Sequence, residues 1–579
     1  MSEKITKDAA ERLRILQSFA DTKKGKKWSS FPKGYKLGKV KYIIITGGVI
    51  SGVGKGITGG SMGTILQEEY GFNCTPIKME SYYNIDSGLL SPFEHGEVFV
   101  LDDGTETDMD LGSYESFYSK NLTKWSFFTN GNLEESVRGL ERDGSFEGKT
   151  VQFYPHKVGL VNKFMRKSAM VNKADIMIIE FGGKVGDEES RVYFKALERF
   201  VYEEGRENVF IIHNVYMPKP NHLREQKTWP VQQAITDLVQ ITSLKPDIVA
   251  VRSHELMAKS AGSKIQERCM LGRDSVISLP DQESIYLVPL ILKNNKVDIK
   301  VLKHFNLRKK LFGKKKLKQW QNYVKNFLSP KKTITIGITG KYGEGNRDVY
   351  ASIIKAIEHA STYFNVKANV ELIDTERIES GEVNINRELE ELDGIIIPGG
   401  FGQRGTKGKI MCAGYARKNK VPYLGLCYGF QMAIIEFGRN VCNLKEANTE
   451  ENVPGLKHPV ICLLPEQYEK QGLGGNMRLG GKDVMIIKGT KTYKIFGDKT
   501  KVRMRFRHRY EFNPKYKKVY EDHGLVFSGM TPDKEIMQIF ELEGHPFYVG
   551  TQAHPEFSSK PLSPHPLYLS FINAAIKNS

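Results

Sequence analysis

Two α/β domains in tandem, each built on a parallel sheet, are what this 579-residue sequence predicts. Three observations predict them. Short apolar runs such as Tyr42-Ile43-Ile44-Ile45, Ile176-Met177-Ile178-Ile179 and Val209-Phe210-Ile211-Ile212 alternate with helix-period segments, as in strands covered on both faces. The same pattern restarts at Thr333-Ile334-Thr335-Ile336-Gly337-Ile338, followed by a helix-period segment at 348–363. The length exceeds what one hydrophobic core holds.

The basic stretch 303–332 is the expected boundary. It carries Arg308-Lys309-Lys310 and Lys314-Lys315-Lys316 and closes on the helix-breaking pair Ser329-Pro330. The expected organisation is an extension at 1–40 with a helical stretch at 9–19, a first domain at 41–302, a linker at 303–332 and a second domain at 333–579. The formal charge of +18 fits polyanionic small substrates or nucleic acid. Aromatic residues are sparse in the basic stretch, so it reads as a solvated connector and no nucleic-acid partner is expected. Six cysteines are scattered without metal-ligand spacing or a disulfide framework. No apolar run reaches the roughly 18 residues of a membrane helix, and no signal-peptide core stands at the N-terminus, so no membrane association and a cytoplasmic location are expected.

In the first domain the strand 42–45 runs into Gly47-Gly48-Val49-Ile50-Ser51-Gly52-Val53-Gly54-Lys55-Gly56-Ile57 and then a helix at 58–70. Strand, glycine loop with Lys, helix is phosphate-binding architecture: backbone N–H groups and the helix start hold the phosphates and the ammonium meets their charge. Gly56 stands where a hydroxyl would usually hold Mg²⁺. The metal ligands are therefore sought in the acidic run 103–110 and at Glu180, which ends a buried strand.

In the second domain Gly425-Leu426-Cys427-Tyr428-Gly429 is a G-x-C-x-G elbow between a strand-like run and a helix-like one. Such a turn puts a sulfur at a helix N-terminus, where the thiolate is favoured. His554-Pro555-Glu556 offers an imidazole to activate it and a carboxylate to orient the imidazole. Pro398-Gly399-Gly400-Phe401-Gly402 follows a strand and offers N–H groups for an oxyanion hole.

From about residue 41 to the C-terminus, these motifs resemble the CTP synthase family. The loop at 47–56, the run 91–99, the acidic run 103–111 and Gly186-Asp187-Glu188-Glu189-Ser190 resemble its amidoligase half. The elbow, the run 473–480 and Arg505-Phe506-Arg507-His508-Arg509-Tyr510-Glu511 resemble its class I glutamine amidotransferase half. The resemblance implies a P-loop-type synthetase domain followed by an α/β amidotransferase domain. It implies an ATP-dependent ligase that phosphorylates O4 of UTP and displaces the phosphate with ammonia from glutamine, giving CTP.

Carried over position by position, Cys427 is the nucleophile, His554 the base and Glu556 its orienter. Gly52, Val53, Gly54, Lys55, Gly56, Ile57, Asp110, Arg252, Pro280, Asp281 and Gln282 fall at ATP contacts. Asp110 and Glu180 match Mg²⁺ ligands. Ser51, Asp187, Glu188, Glu189, Lys227, Thr228, Trp229, Pro230, Val231, Gln232 and Lys264 fall at UTP and CTP contacts. Gly400, Tyr428, Gly429, Phe430, Gln431, Glu451 and Arg507 match glutamine contacts. GTP as activator, CTP as feedback inhibitor and a homotetramer are implied too, with filaments left open.

The chain departs from the family pattern at several positions. Trp229 stands where a second Lys is usual beside Lys227, Val231 for Thr, Lys184 for Thr, Glu80-Ser81 for Asp-Pro, and Tyr428 for Leu. At 229 the expectation is either weaker UTP binding or compensation by another cation, with Lys184 a candidate; the alternative is that Trp229 packs at a subunit contact. Another glutamine-dependent ATP amidoligase of the same domain plan is the alternative reading.

Overall fold

The computed structural model describes residues 28–222, 225–307, 314–341, 347–453, 455–464, 467 and 475–579. The expected helical stretch at 9–19 and the cluster at 308–310 lie outside the described residues. The chain divides into two compact units, one of residues up to 86 with 113–321, the other of 87–112 with 322–579.

The first unit has seven parallel strands in the order Phe127–Thr129, Cys74–Glu80, Ile176–Phe181, Lys41–Gly48, Val209–Tyr216, Ile248–Ser253 and Val276–Pro280. Alternate residues explain the unbroken apolar runs. Ile44, Met177, Ile179 and Ile211 share a core with the helices Val158–Val171 and Arg191–Glu204. Ile45 and Ile178 point the other way, to within 3.5 and 3.2 Å of where a Cβ on Gly59 would sit, in the helix Lys55–Glu68. With both faces covered, neither set can be polar.

The main sheet of the second unit has nine strands, in the order Val366–Asp374, Lys332–Gly340, Gly394–Ile397, Tyr423–Leu426, Tyr548–Thr551, Met537–Leu542, Leu525–Met530, Arg478–Ile486 and Lys501–His508. The first five are mutually parallel and the rest pair antiparallel. Ile395 and Ile397 join the core under the helices Thr406–Asn419 and Tyr428–Asn440. Ile396 faces the opposite core, with Ala351–Tyr363 and Pro566–Asn578.

Two segments differ from the sequence expectation. Residues 87–112, expected in the first domain, belong to the second unit. Period-2 spacing puts Arg503, Arg505 and Arg507 on one face of their strand. The hairpin of Phe99–Val100 with Glu106–Thr107 meets them there. Arg503 pairs with Asp102 at 3.0 Å, Arg505 donates to the Val100 carbonyl at 3.1 Å, and Arg507 pairs with Glu106 at 2.8 Å. The expected linker contains the helix Lys314–Leu328, and its Trp320 is fully buried, with the indole N–H donating to the Tyr286 carbonyl at 2.9 Å.

Candidate active sites

In the second unit Cys427 sits between the strand Tyr423–Leu426 and the helix Tyr428–Asn440 at φ 48°. That left-handed conformation is strained for a side chain and turns the sulfur outward. The turn holds because the Cys427 N–H donates to the Thr551 carbonyl at 2.8 Å on the neighbouring strand. It also requires Gly429, since a Cβ there would lie 2.1 Å from the Ile397 carbonyl oxygen. The sulfur donates to the Arg507 carbonyl at 3.6 Å and receives the Gln552 side-chain amide at 3.4 Å.

His554 and Cys427 flank Gly399: a Cβ on that glycine would lie 2.9 Å from His554 Cε1 and 3.7 Å from Cys427 Cβ. His554 Nδ1 bonds Glu556 Oε1 at 2.7 Å, and both side chains are buried. Burial alone would lower the imidazole pKa; the Glu556 carboxylate and then Cys427 outweigh it and raise it to about 10. A thiol, a carboxylate-oriented imidazole and a glycine loop thus line one cavity of about 450 Å³, with Lys409, Glu451 and Arg509 on its walls. This is the arrangement for nucleophilic attack on an amide carbonyl.

Of the residues expected at glutamine, Gly400, Tyr428, Gln431, Glu451 and Arg507 line this cavity. Gly429 and Phe430 lie buried in the first turn of the helix behind it. The Arg507 guanidinium is held by Glu106 and the Gly88 carbonyl, so what Arg507 offers the sulfur is its backbone oxygen. The Glu451 carboxylate accepts the Gly402 N–H at 2.8 Å, and burial raises its pKa.

Four lining or adjoining groups escaped the sequence reading. Lys409 is 2% exposed, with its ammonium 5.2 Å from the Tyr428 ring centre and its pKa lowered to about 7 by burial and by Lys341. Arg509 continues the alternating arginines into the cavity wall, a spacing visible in the sequence. Gln552 touches the sulfur. Glu97 is half-buried and pushed up to about 7, chiefly by desolvation, although it accepts the Ser352 N–H at 2.8 Å.

In the first unit Ser51, Gly52, Val53 and Gly54 form the loop, and Lys55, Gly56 and Ile57 the first turn of the helix. Lys55 is buried, and its ammonium donates to the Gly183 carbonyl at 2.9 Å. Arg252 donates to the Gly52 carbonyl at 3.4 Å and pairs with Asp281 at 3.0 Å; Gln282 donates to the Pro280 carbonyl at 3.0 Å. The expected adenosine contacts therefore gather beside the glycine loop.

The Asp187 loop joins the same place. The Val185 N–H donates to the Gly47 carbonyl at 2.8 Å, and Asp187 accepts the Lys184 N–H at 2.9 Å. Glu188 follows in that loop, and the Glu189 carbonyl accepts the Asn130 side chain at 2.8 Å. Lys227 pairs with Glu225, whose pKa it lowers, and the charge of Lys264 acts in the same direction. Thr228 accepts the Gln232 side chain at 3.0 Å, and Val231 is fully buried. Trp229 and Pro230 open the helix Trp229–Thr242, and Trp229 is 69% exposed. The Lys184 ammonium lies 3.8 Å from Asp187.

Glu180 is a buried carboxylate at the C-terminal end of its strand, bonded by Lys78 at 2.7 Å and by the Tyr114 hydroxyl at 2.6 Å. Asp110 opens the helix Asp110–Tyr118, with its N–H on Asp108. Among the described residues no three His, Cys, Asp or Glu side chains gather as a metal cluster. Each is a hard carboxylate of the kind that Mg²⁺ takes alongside phosphate and water oxygens. The rest of the acidic run is used internally: Glu106 meets Arg507, Asp103 accepts from Thr105, and Asp108 accepts the Asp110 N–H.

Comparison with known proteins places both halves. A family model described as CTP synthase N-terminus matches residues 41–307, and one described as glutamine amidotransferase class-I matches 346–574. The CTP synthase of Caldanaerobacter subterraneus subsp. tengcongensis is 43% identical, over 93% of this chain and 98% of its own. That of Methanocaldococcus jannaschii is 42% identical, over 93% and 98%. The solved glutaminase domain of Trypanosoma brucei CTPS with bound acivicin is 35% identical, over 42% of this chain and 94% of its own, with a TM-score of 0.40.

Proposed function

The chain belongs to the CTP synthase family, and on that premise we propose how its residues carry out the ATP-dependent amination of UTP with nitrogen from glutamine. The observation that carries the proposal is the pairing, in one chain of this family, of the Cys427–His554–Glu556 arrangement with the Lys55 loop.

In the second unit the Cys427 thiolate attacks the glutamine γ-carbonyl. The Gly400 and Tyr428 N–H groups receive the oxyanion, and His554, held protonated by Glu556, delivers a proton to the departing ammonia. Water then hydrolyses the thioester to glutamate. In the first unit the γ-phosphoryl group of ATP passes to O4 of the uracil ring, turning a poor leaving group into a good one. Ammonia adds at C4 and phosphate leaves, giving CTP. The loop from Gly52 to Gly54 and Lys55 cradles the ATP phosphates, and Arg252, Pro280, Asp281 and Gln282 hold the adenosine. Ser51, Asp187, Glu188, Glu189, Lys227, Thr228, Gln232 and Lys264 hold the pyrimidine nucleotide. Asp110 and Glu180 would hold Mg²⁺, which when bound supplies charge neutralisation at the phosphates.

Activation by GTP, feedback inhibition by CTP, a homotetramer and a cytoplasmic location belong to the same reading. Among the described residues no helix is long and apolar enough to cross a membrane. The test is the absorbance change from UTP to CTP with ATP, Mg²⁺ and either glutamine or ammonium. CTP from both nitrogen sources is expected, and glutamine hydrolysis without CTP from either would refute the reading.

A further inference from the structure

The residue after the nucleophile has a hydroxyl that the amide-splitting chemistry does not use. Tyr428 begins the helix with its backbone, and its side chain runs beneath the glycine loop. Its hydroxyl donates to the Gly402 carbonyl at 2.8 Å, lies 3.0 Å from the Thr406 hydroxyl, and accepts the Asn452 side-chain N–H at 3.2 Å. Three separate stretches of chain thus meet on one oxygen: the glycine loop, the start of the helix Thr406–Asn419, and the turn that carries Glu451.

Gly402 is held at both of its backbone groups. Its N–H bonds the Glu451 carboxylate at 2.8 Å, and its carbonyl takes the Tyr428 hydroxyl at 2.8 Å and, within its own stretch of chain, the Thr406 hydroxyl at 3.1 Å. The Glu451 and Tyr428 ties differ in what a substrate does to them. A free amino acid brings an ammonium group, and of the cavity's carboxylates Glu97, Glu451 and Glu556 it is Glu451 that bonds the glycine loop. An ammonium drawn to Glu451 competes with the Gly402 N–H for the same oxygens, whereas the Tyr428 tie is untouched. The loop's position relative to Glu451 then rests on Tyr428 and on the Gln403 side chain, which donates to the Asn452 carbonyl at 2.7 Å.

We propose that the Tyr428 hydroxyl is a positioning group for glutamine: it fixes the spacing between the Gly400 N–H, which meets the γ-carboxamide, and Glu451, which meets the α-ammonium. This rests on the assignment of Cys427 as the nucleophile of a glutamine site. A ligand read at both ends is sensitive to that spacing, and an error of an ångström in placement is costly. A phenylalanine would keep the ring under Lys409 and remove only the hydroxyl.

The test is Tyr428→Phe, Asn452→Ala and the double variant, assayed with glutamine and with ammonium and compared by thermal melting. Removing one neutral hydrogen bond predicts a rise of about fivefold in the KM for glutamine, with kcat changed less than KM. The melting temperature and ammonium-dependent turnover should report an intact fold. Asn452→Ala should raise the same KM, and the double variant should rise by less than the product of the single effects, because both remove one tie. A glutamine KM within twofold of the parent in Tyr428→Phe, strictly multiplicative effects, or losses that follow the melting temperature would each overturn the proposal. Cys427→Ala separates the two readings. If it retains glutamine-dependent turnover, the glutamine site itself is misassigned; if it loses it while Tyr428→Phe is silent, only the positioning role fails.

Discussion

Cys427, His554 and Glu556 were legible as residues because their chemistry is local: a glycine-flanked elbow and two side chains two positions apart. Lys409 was not, because burial of a lysine is a property of packing and leaves no spacing signature. Its ammonium, lowered to about 7 from an ordinary 10.5 by burial and by Lys341, makes a sharp prediction. Between about pH 7 and pH 10.5 the unfolded chain holds this proton and the folded chain does not, so folded stability rises with pH across that window. Lys409→Met removes the effect. It should raise the stability of the second unit at pH 6 by on the order of 1 kcal/mol or more, since one pKa unit is worth about 1.4 kcal/mol. It should also flatten the rise toward pH 10. Melting curves at several pH values read both, and a variant less stable than the parent at pH 6 would contradict the burial argument.

The strands were legible as elements wherever both faces are covered, because Ile43, Ile44 and Ile45 are apolar regardless of which way each points. The hairpin at 99–107 was not. Its partners stand some four hundred residues away, and its acids look in sequence like metal ligands or a solvated turn. Only the arginine alternation at 503–507 hints that a face awaits carboxylates. Glu106 is almost fully buried against Arg507, so Glu106→Gln strands a guanidinium. A loss of about 3–5 kcal/mol in the second unit is expected. Adding Arg507→Met should recover part of it, because the unpaired charge goes with the side chain. Urea unfolding followed in the second unit measures both. A single variant as stable as the parent would show that the pair only decorates the surface.

The two-part plan of the whole molecule was legible from the restart of the strand pattern at 333. The reassignment of 87–112 was not, since it depends on which surface that segment meets. Separate sites imply separate failures. Glu180→Ala and Asp110→Ala should each lower CTP formation from both glutamine and ammonium by at least about a hundredfold, if each removes the proposed charge-neutralising ligand from phosphoryl transfer. Glutamine hydrolysis should persist. Glu180→Ala also removes one of the carboxylates that pair with Lys78, Glu80 at 3.1 Å being another, so its melting temperature must be read alongside; near-parental CTP formation in both variants would reject the ligand assignment.

The most direct measurement is CTP formation by Cys427→Ala with glutamine and with ammonium, side by side in one preparation. In the proposed assignment the thiol only releases ammonia, so turnover with glutamine should vanish while turnover with ammonium stays near the parent. Equal loss with both nitrogen sources in a folded variant, or retained turnover with glutamine, would contradict the division of labour between the two sites.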